Sequence, residues 1–141
     1  MLEQVQADVT ASLKAGDRER VSALRLIANE LQKAAKEGND DEVAVLQRER
    51  KRRIEAAEAY REAARQDLAD AEEREATIIE AYMPAQISDE ELRAIVGDAV
   101  AESGASSPRE MGKVMSAVMP QVKGRADGKR VSAMVQELLN P

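Results

Sequence analysis

Apolar residues recur along this chain at helical spacing in seven stretches, separated by turn signals. Leu2, Val5, Val9 and Leu13 fall on one face of a first helix, and Gly16 follows as a stop. A second helix starts near Asp17 with the stripe Val21, Leu24, Ala28, Leu31 and Ala35, Ile27 beside it, and Gly38 at its end. Leu26 lies off that stripe, so more than one side of this helix should meet neighbours. Asn39 and Glu42 read as a capping box for a third helix from about Asp40 to Ala64. Its apolar face is thin: Val43, Leu46, Ile54, Ala57 and Ala64. A fourth helix restarts near Asp67 with Leu68, Ala71, Ile78, Ile79 and Tyr82 inside. Gln66 and Asp67 favour a break before it, although no Gly or Pro enforces one.

Pro84 disfavours helix at Met83, which marks Met83–Ile87 as a linker. Ser88 and Glu91 form a second capping box. Leu92, Ile95, Val96, Ala99 and Val100 follow as a fifth helix closed by Gly104. Ser107, Pro108 and Glu110 open a sixth helix with Met111, Val114, Met115 and Val118 inside and Pro120 at its end. Val131, Met134, Val135, Leu138 and Leu139 mark a seventh. The pattern predicts an all-α fold with two helical subdomains. A four-helix unit spans 1–83 and a three-helix unit spans 88–141.

Composition supports helices. There is no Phe or Trp and there are two Tyr, so the core must come from Leu, Val, Ile, Met and Ala. A sheet would favour β-branched and aromatic residues. The lack of Cys and His removes disulfides, thiolate nucleophiles, imidazole bases and nearly all zinc sites. No apolar run approaches the roughly 20 residues of a membrane helix, and the N-terminus does not read as a signal peptide. A cytoplasmic protein without membrane contact is expected. The net charge of −6 is uneven: residues 1–103 carry −9 and residues 104–141 carry +3. That balance opposes indiscriminate coating of nucleic acid, yet permits a local phosphate contact near the C-terminal end.

Several motifs invite chemistry. Gly104–Ser107 resembles a nucleophile loop, but no His is available as base and Ser107 already serves as an N-cap. Asn39–Glu42 is acidic but contiguous, unlike the alternating ligands of a calcium loop. The Arg48–Arg53 cluster is interleaved with Glu49, Glu55 and Glu58, and Arg50–Ile54–Glu58 and Glu58–Arg61–Glu62 fit a salt-bridged helix face. Met111, Met115, Met119 and Met134 read as core filler. Gly112, costly inside a helix, suggests close packing there.

The stretch Lys123 to Arg130 stands out. Lys123, Arg125, Lys129 and Arg130 surround Gly124 and Gly128, at a helix start where acidic residues are the norm. Free N–H groups and two glycines there suit an anion such as phosphate. The spacing differs from a P-loop, so nucleotide hydrolysis is not indicated. No catalytic residue, metal ligand or cofactor site is assigned, and no oligomeric state follows from the sequence.

Glu110-Met-Gly-Lys-Val-Met115, Val118-Met-Pro120 and Lys123-Gly-Arg-Ala-Asp-Gly128 resemble the signature of the YqeY-like family. Leu24–Ile27, Ala81–Pro84 with Gln86, and Ser88–Leu92 fit it too. The family's C-terminal part is similar to the tail domain of GatB, a component of the glutamine-dependent aminoacyl-tRNA amidotransferase. The resemblance implies an all-helical, two-subdomain fold. It also implies an association with carbon–nitrogen ligase activity that uses glutamine as amido-nitrogen donor. The kinase and glutaminase domains of that enzyme are absent here, so no activity of the chain alone is expected. By position, the tail's tRNA-facing basic loop corresponds to Lys123, Arg125, Lys129 and Arg130, with Lys113 one helix earlier. The expected function is non-catalytic tRNA or RNA binding. The alternatives are an accessory factor working with the amidotransferase, or a protein-interaction module.

Overall fold

A computed structural model describes residues 1–140 and places seven α-helices and no strand among them. The chain divides into two compact units, the first Met1–Met83 and the second beginning at Pro84.

The first unit is two helical hairpins. α1 (Leu2–Ala15) pairs with α2 (Arg18–Lys36), and α3 (Glu42–Glu62) with α4 (Gln66–Glu80). Val5, Leu24, Ile27, Leu31, Val45, Leu46 and Ile79 form their shared core. The α3–α4 hairpin has the most extensive helix–helix contact among the described residues. Buried Ala57, Ala69 and Ala76 replace larger residues there and let the helices approach. This accounts for the thin apolar face read from the sequence of α3.

Three helices of this unit end by the same device. A residue at or just after the C-cap turns left-handed, and two backbone N–H groups close back onto the last turn. At α1, Gly16 (φ 74°) bonds Leu13 O and Asp17 N–H reaches Ser12 O at 3.0 Å. At α2, Gly38 (φ 80°) bonds Ala35 O and Asn39 N–H reaches Ala34 O at 2.9 Å. At α3, Ala64 N–H bonds Arg61 O and Arg65 N–H reaches Tyr60 O at 2.8 Å, with Ala64 at φ 59°. So α3 and α4 are separate, and the turn is made by an alanine in a conformation that favours glycine.

Several inner positions differ from the sequence reading. Leu13 is 52% exposed, and the small Ser12, next to the turn into α2, is buried instead. Ala34 rather than Ala35 faces inward, and Val45 is buried where Val43 is half-buried. The capping box at α3 is shifted. Asp41 is the N-cap, accepting from Ala44 N–H at 3.1 Å, while Asn39 Oδ1 accepts from Asp41 N–H at 3.0 Å. Ala64 leaves the helix and is exposed.

The second unit packs α5 (Asp89–Ser103), α6 (Met111–Val122) and α7 (Gly128–Leu139) mutually. A 3-10 turn at Pro108–Glu110 precedes α6. The core is built from Leu92, Val96, Val114, Val118, Val122, Val131, Val135 and Leu139. Ser88 Oγ caps α5 by accepting from Glu91 N–H at 3.1 Å. Ser107 makes no side-chain cap; Glu110 instead accepts from Ser106 N–H at 2.6 Å. Pro120 lies inside α6 rather than after it, on an exposed position. A methyl group at Gly112 would meet nothing within 4 Å, so no close packing accounts for that glycine. The segment read as a free linker is fixed: Ile87 is buried in this core, and its N–H donates to Arg125 O at 2.8 Å.

Ala64→Gly relieves the left-handed strain at the α3–α4 turn. It should raise stability by about 1 kcal/mol, net of the extra chain entropy of glycine. Urea unfolding midpoints of the two proteins check this.

Candidate nucleic-acid interface

The loop from α6 to α7 alternates between core and solvent. Val122, Gly124 and Ala126 are buried, while Lys123 and Asp127 are exposed and Arg125 is half-exposed. A tight turn, with Arg125 N–H and Ala126 N–H both donating to Val122 O, holds the alternation. Lys129 is exposed in the first turn of α7, and Lys113 is exposed on α6. The structure thus brings Lys123, Gly124, Arg125, Gly128, Lys129 and Arg130 into one corner.

That corner already contains anions of the same chain. Asp127 is the N-cap of α7, and its Oδ1 accepts from Arg130 N–H at 2.8 Å. The first turn of α5, Asp89–Glu91, is acidic. Arg130 Nη2 lies 2.6 Å from Asp89 Oδ1. Arg125 faces Glu91 through both terminal nitrogens, at 3.4 and 3.1 Å, and its Nε donates to Ala85 O at 3.4 Å. The helix start read as offering free N–H groups is thus already capped, and no outside anion is required to account for it. Asp127 completes the helix end, and two of the four cations are matched by α5. Lys129 makes no ion pair among the described residues. From Pro84 onward the side chains carry eight acids and seven bases, a balance of −1.

The second basic cluster is matched too, though not as the sequence suggests. Arg50 lies 2.6 Å from Glu80 on α4 rather than pairing with Glu58, and Arg61 pairs with Glu73 rather than along its own helix. Arg53 lies 3.2 Å from Glu75 and 3.5 Å from Glu49. Glu49 itself is 1% exposed and also receives Arg52 at 3.0 Å. Burial holds the Glu75 carboxyl above its usual range, with Glu72 adding to it and Arg53 opposing. A buried glutamate is invisible to a periodicity argument, which assigns every charge to solvent.

Reactive geometry is sparse. The first unit has a shallow groove lined by Asp8, Ala11, Ser12, Ala15, Asp17 and Arg20. Tyr82 OH donates to Asp8 there, and burial with that bond pushes the phenol up to about 12, so it keeps its proton near neutrality. Among the described residues no three His, Cys, Asp or Glu side chains group as metal ligands, and no helix is long and apolar enough to cross a membrane.

A family profile described as Yqey-like protein matches residues 2–139. The chain belongs to the YqeY-like family. It is also 28% identical over 148 residues to "Altered inheritance of mitochondria protein 41, mitochondrial" of Pyrenophora tritici-repentis (strain Pt-1C-BFP). That alignment covers 99% of this chain and 81% of the relative. The family assignment and the all-helical architecture thus agree with the sequence motifs that carried the resemblance.

Glu110, ahead of the Met111–Met115 motif, is held below the usual carboxylate range, first by the Ser106 N–H and further down by the charge of Lys113. A depressed carboxyl stabilises the fold above its unfolded value, near pH 4.3, and the contribution is lost as pH falls through the folded value. Glu110→Gln should therefore be less stable than wild type at pH 7. The difference should close toward pH 3, as read from urea unfolding at both pH values.

Proposed function

We propose that this YqeY-like protein is a non-catalytic binding module whose second unit contacts the phosphates of tRNA or a related structured RNA. The observation that carries this reading is the buried–exposed alternation from Val122 to Asp127, which anchors Gly124 and Ala126 and leaves Lys123 exposed, with Lys129 exposed in the first turn of α7. Lysine on such an anchored loop is a point charge suited to a phosphate. The resemblance to the GatB tail supports the same corner and extends it to Lys113, Arg125 and Arg130. Without Phe or Trp, base stacking contributes little, and recognition rests on backbone contact and RNA shape.

The binding is modest, because the unit as a whole is not basic. The same scaffold also suits an accessory role beside an amidotransferase that uses glutamine as nitrogen donor. In that role the protein presents tRNA and the enzyme supplies the chemistry. A purely protein-binding role is favoured by the arginines already matched within the chain, and nuclease-resistant capture of a partner without RNA would select it. The composition suits a reducing aqueous compartment such as the cytoplasm. The mitochondrial designation belongs to the Pyrenophora relative.

Lys123→Ala with Lys129→Ala should weaken tRNA binding about tenfold at low salt. It should also flatten the dependence of log K on log salt by roughly 1.5, at about 0.7–0.9 per phosphate contact. Fluorescence anisotropy across a salt series measures both. Unchanged affinity and slope in the double variant would refute the site.

A further inference from the structure

Resting on the RNA reading, and concerning how that site is controlled, we propose that the first turn of α5 is an electrostatic mask over the basic loop. Asp89 and Glu91 hold Arg130 and Arg125 in the free protein, and an RNA phosphate gains those two cations by displacing them.

The geometry is specific. Arg125 turns Nη1 and Nη2 toward the two oxygens of Glu91 and Nε toward Ala85 O, so the forked face that would grip a phosphate is engaged inside the chain. Arg130 reaches Asp89 at 2.6 Å. The carboxylates are the more exposed partners. Side-chain exposure is 84% for Asp89 against 30% for Arg130, and 50% for Glu91 against 36% for Arg125. In both pairs the arginine is the less exposed partner and the acid meets solvent more. Ion pairs this exposed are weak and exchange readily, so the mask lowers affinity without abolishing it. A phosphate that takes over Arg125 also competes with its contact to Ala85.

Acidic residues at a helix start have a bland explanation, because they complement the helix dipole. Glu90 separates the two. It sits in the same turn, is exposed, and makes no ion pair among the described residues. Glu90→Gln removes the same charge and the same dipole complement without freeing an arginine.

The experiment compares Asp89→Asn, Glu91→Gln and Glu90→Gln with wild type on a heparin column and against tRNA, with thermal melts to confirm folding. Asp89→Asn and Glu91→Gln should elute at higher salt than Glu90→Gln. Each should bind tRNA roughly threefold more tightly than Glu90→Gln at low salt, with the salt slope steeper by about 0.7–0.9 for the released arginine. Equal behaviour of all three variants overturns the mask, as does weaker binding by Glu91→Gln, which would make the carboxylate a support for Arg125. If tRNA binds and the variants match Glu90→Gln, the mask fails and the RNA reading stands. If heparin separates the variants while no protein binds tRNA, the mask stands and the RNA reading fails.

Discussion

Arginine on one helix facing carboxylate on the next is the interaction on which this structure depends. In the first unit it fixes the α3–α4 hairpin, whose seam is floored by alanine. Ala57, Ala69 and Ala76 allow close approach but bury little area, so apolar burial alone specifies their register weakly. Arg50 to Glu80, Arg53 to Glu75 and Arg61 to Glu73 supply the missing specification along the length of the hairpin. The price is Glu49, a carboxylate removed from water. Ion desolvation costs several kcal/mol, and Arg48, Arg52 and Arg53, each within 4.0 Å of Glu49, offset it. Geometry is therefore enforced more strongly here than stability is.

The second unit reverses the arrangement. Valines from α5, α6 and α7 interlock in a continuous apolar core, and the ion pairs lie at its rim. Rim pairs contribute about 0–1 kcal/mol each and can be exchanged without loss of the fold. A charge pattern that is structural in one unit is thus free to serve recognition in the other. Ile87 ties the chain entering α5 to the same core and, through Arg125 O, to the basic loop, so the start of α5 and the loop form one piece.

Much of this was legible in the sequence because it is local. Helix number, the Asp17 start, the Ser88 cap and the glycine stops follow from period and capping chemistry within a few residues, whereas the Asp127 cap was not read. The failures concern partners distant in sequence. Arg61 has Glu58 three residues before it on its own helix, yet it pairs with Glu73 of the facing helix, and no spacing rule contains that choice. Ala64 occupies a glycine position because the hairpin over-determines the turn, a tertiary effect that overrides residue preference. Gly112 misled in the opposite sense: its cost suggested a close neighbour, and the structure shows open space above it. At the basic loop the sequence reading missed that α5 brings counter-charges to Arg125 and Arg130.

Residue type, read more closely, contained part of that answer. A guanidinium is a planar fork that matches a carboxylate edge-on and loses little hydration in doing so, whereas an ammonium is a compact, strongly hydrated charge. The four cations of the loop divide along this line. Arg125 and Arg130 turn back onto Glu91 and Asp89, while Lys123 and Lys129 remain exposed. Substituting lysine for either arginine would keep the charge and lose the fork, and substituting arginine for either lysine would add a fork where α5 has acids to receive it. Arginine and lysine therefore differ in the free protein: the two arginines are engaged by carboxylates of α5, and the two lysines are the more exposed cations. Counting all four as equivalent positive charges, as a net-charge argument does, overstates the field of the loop, because Glu91 and Asp89 offset Arg125 and Arg130.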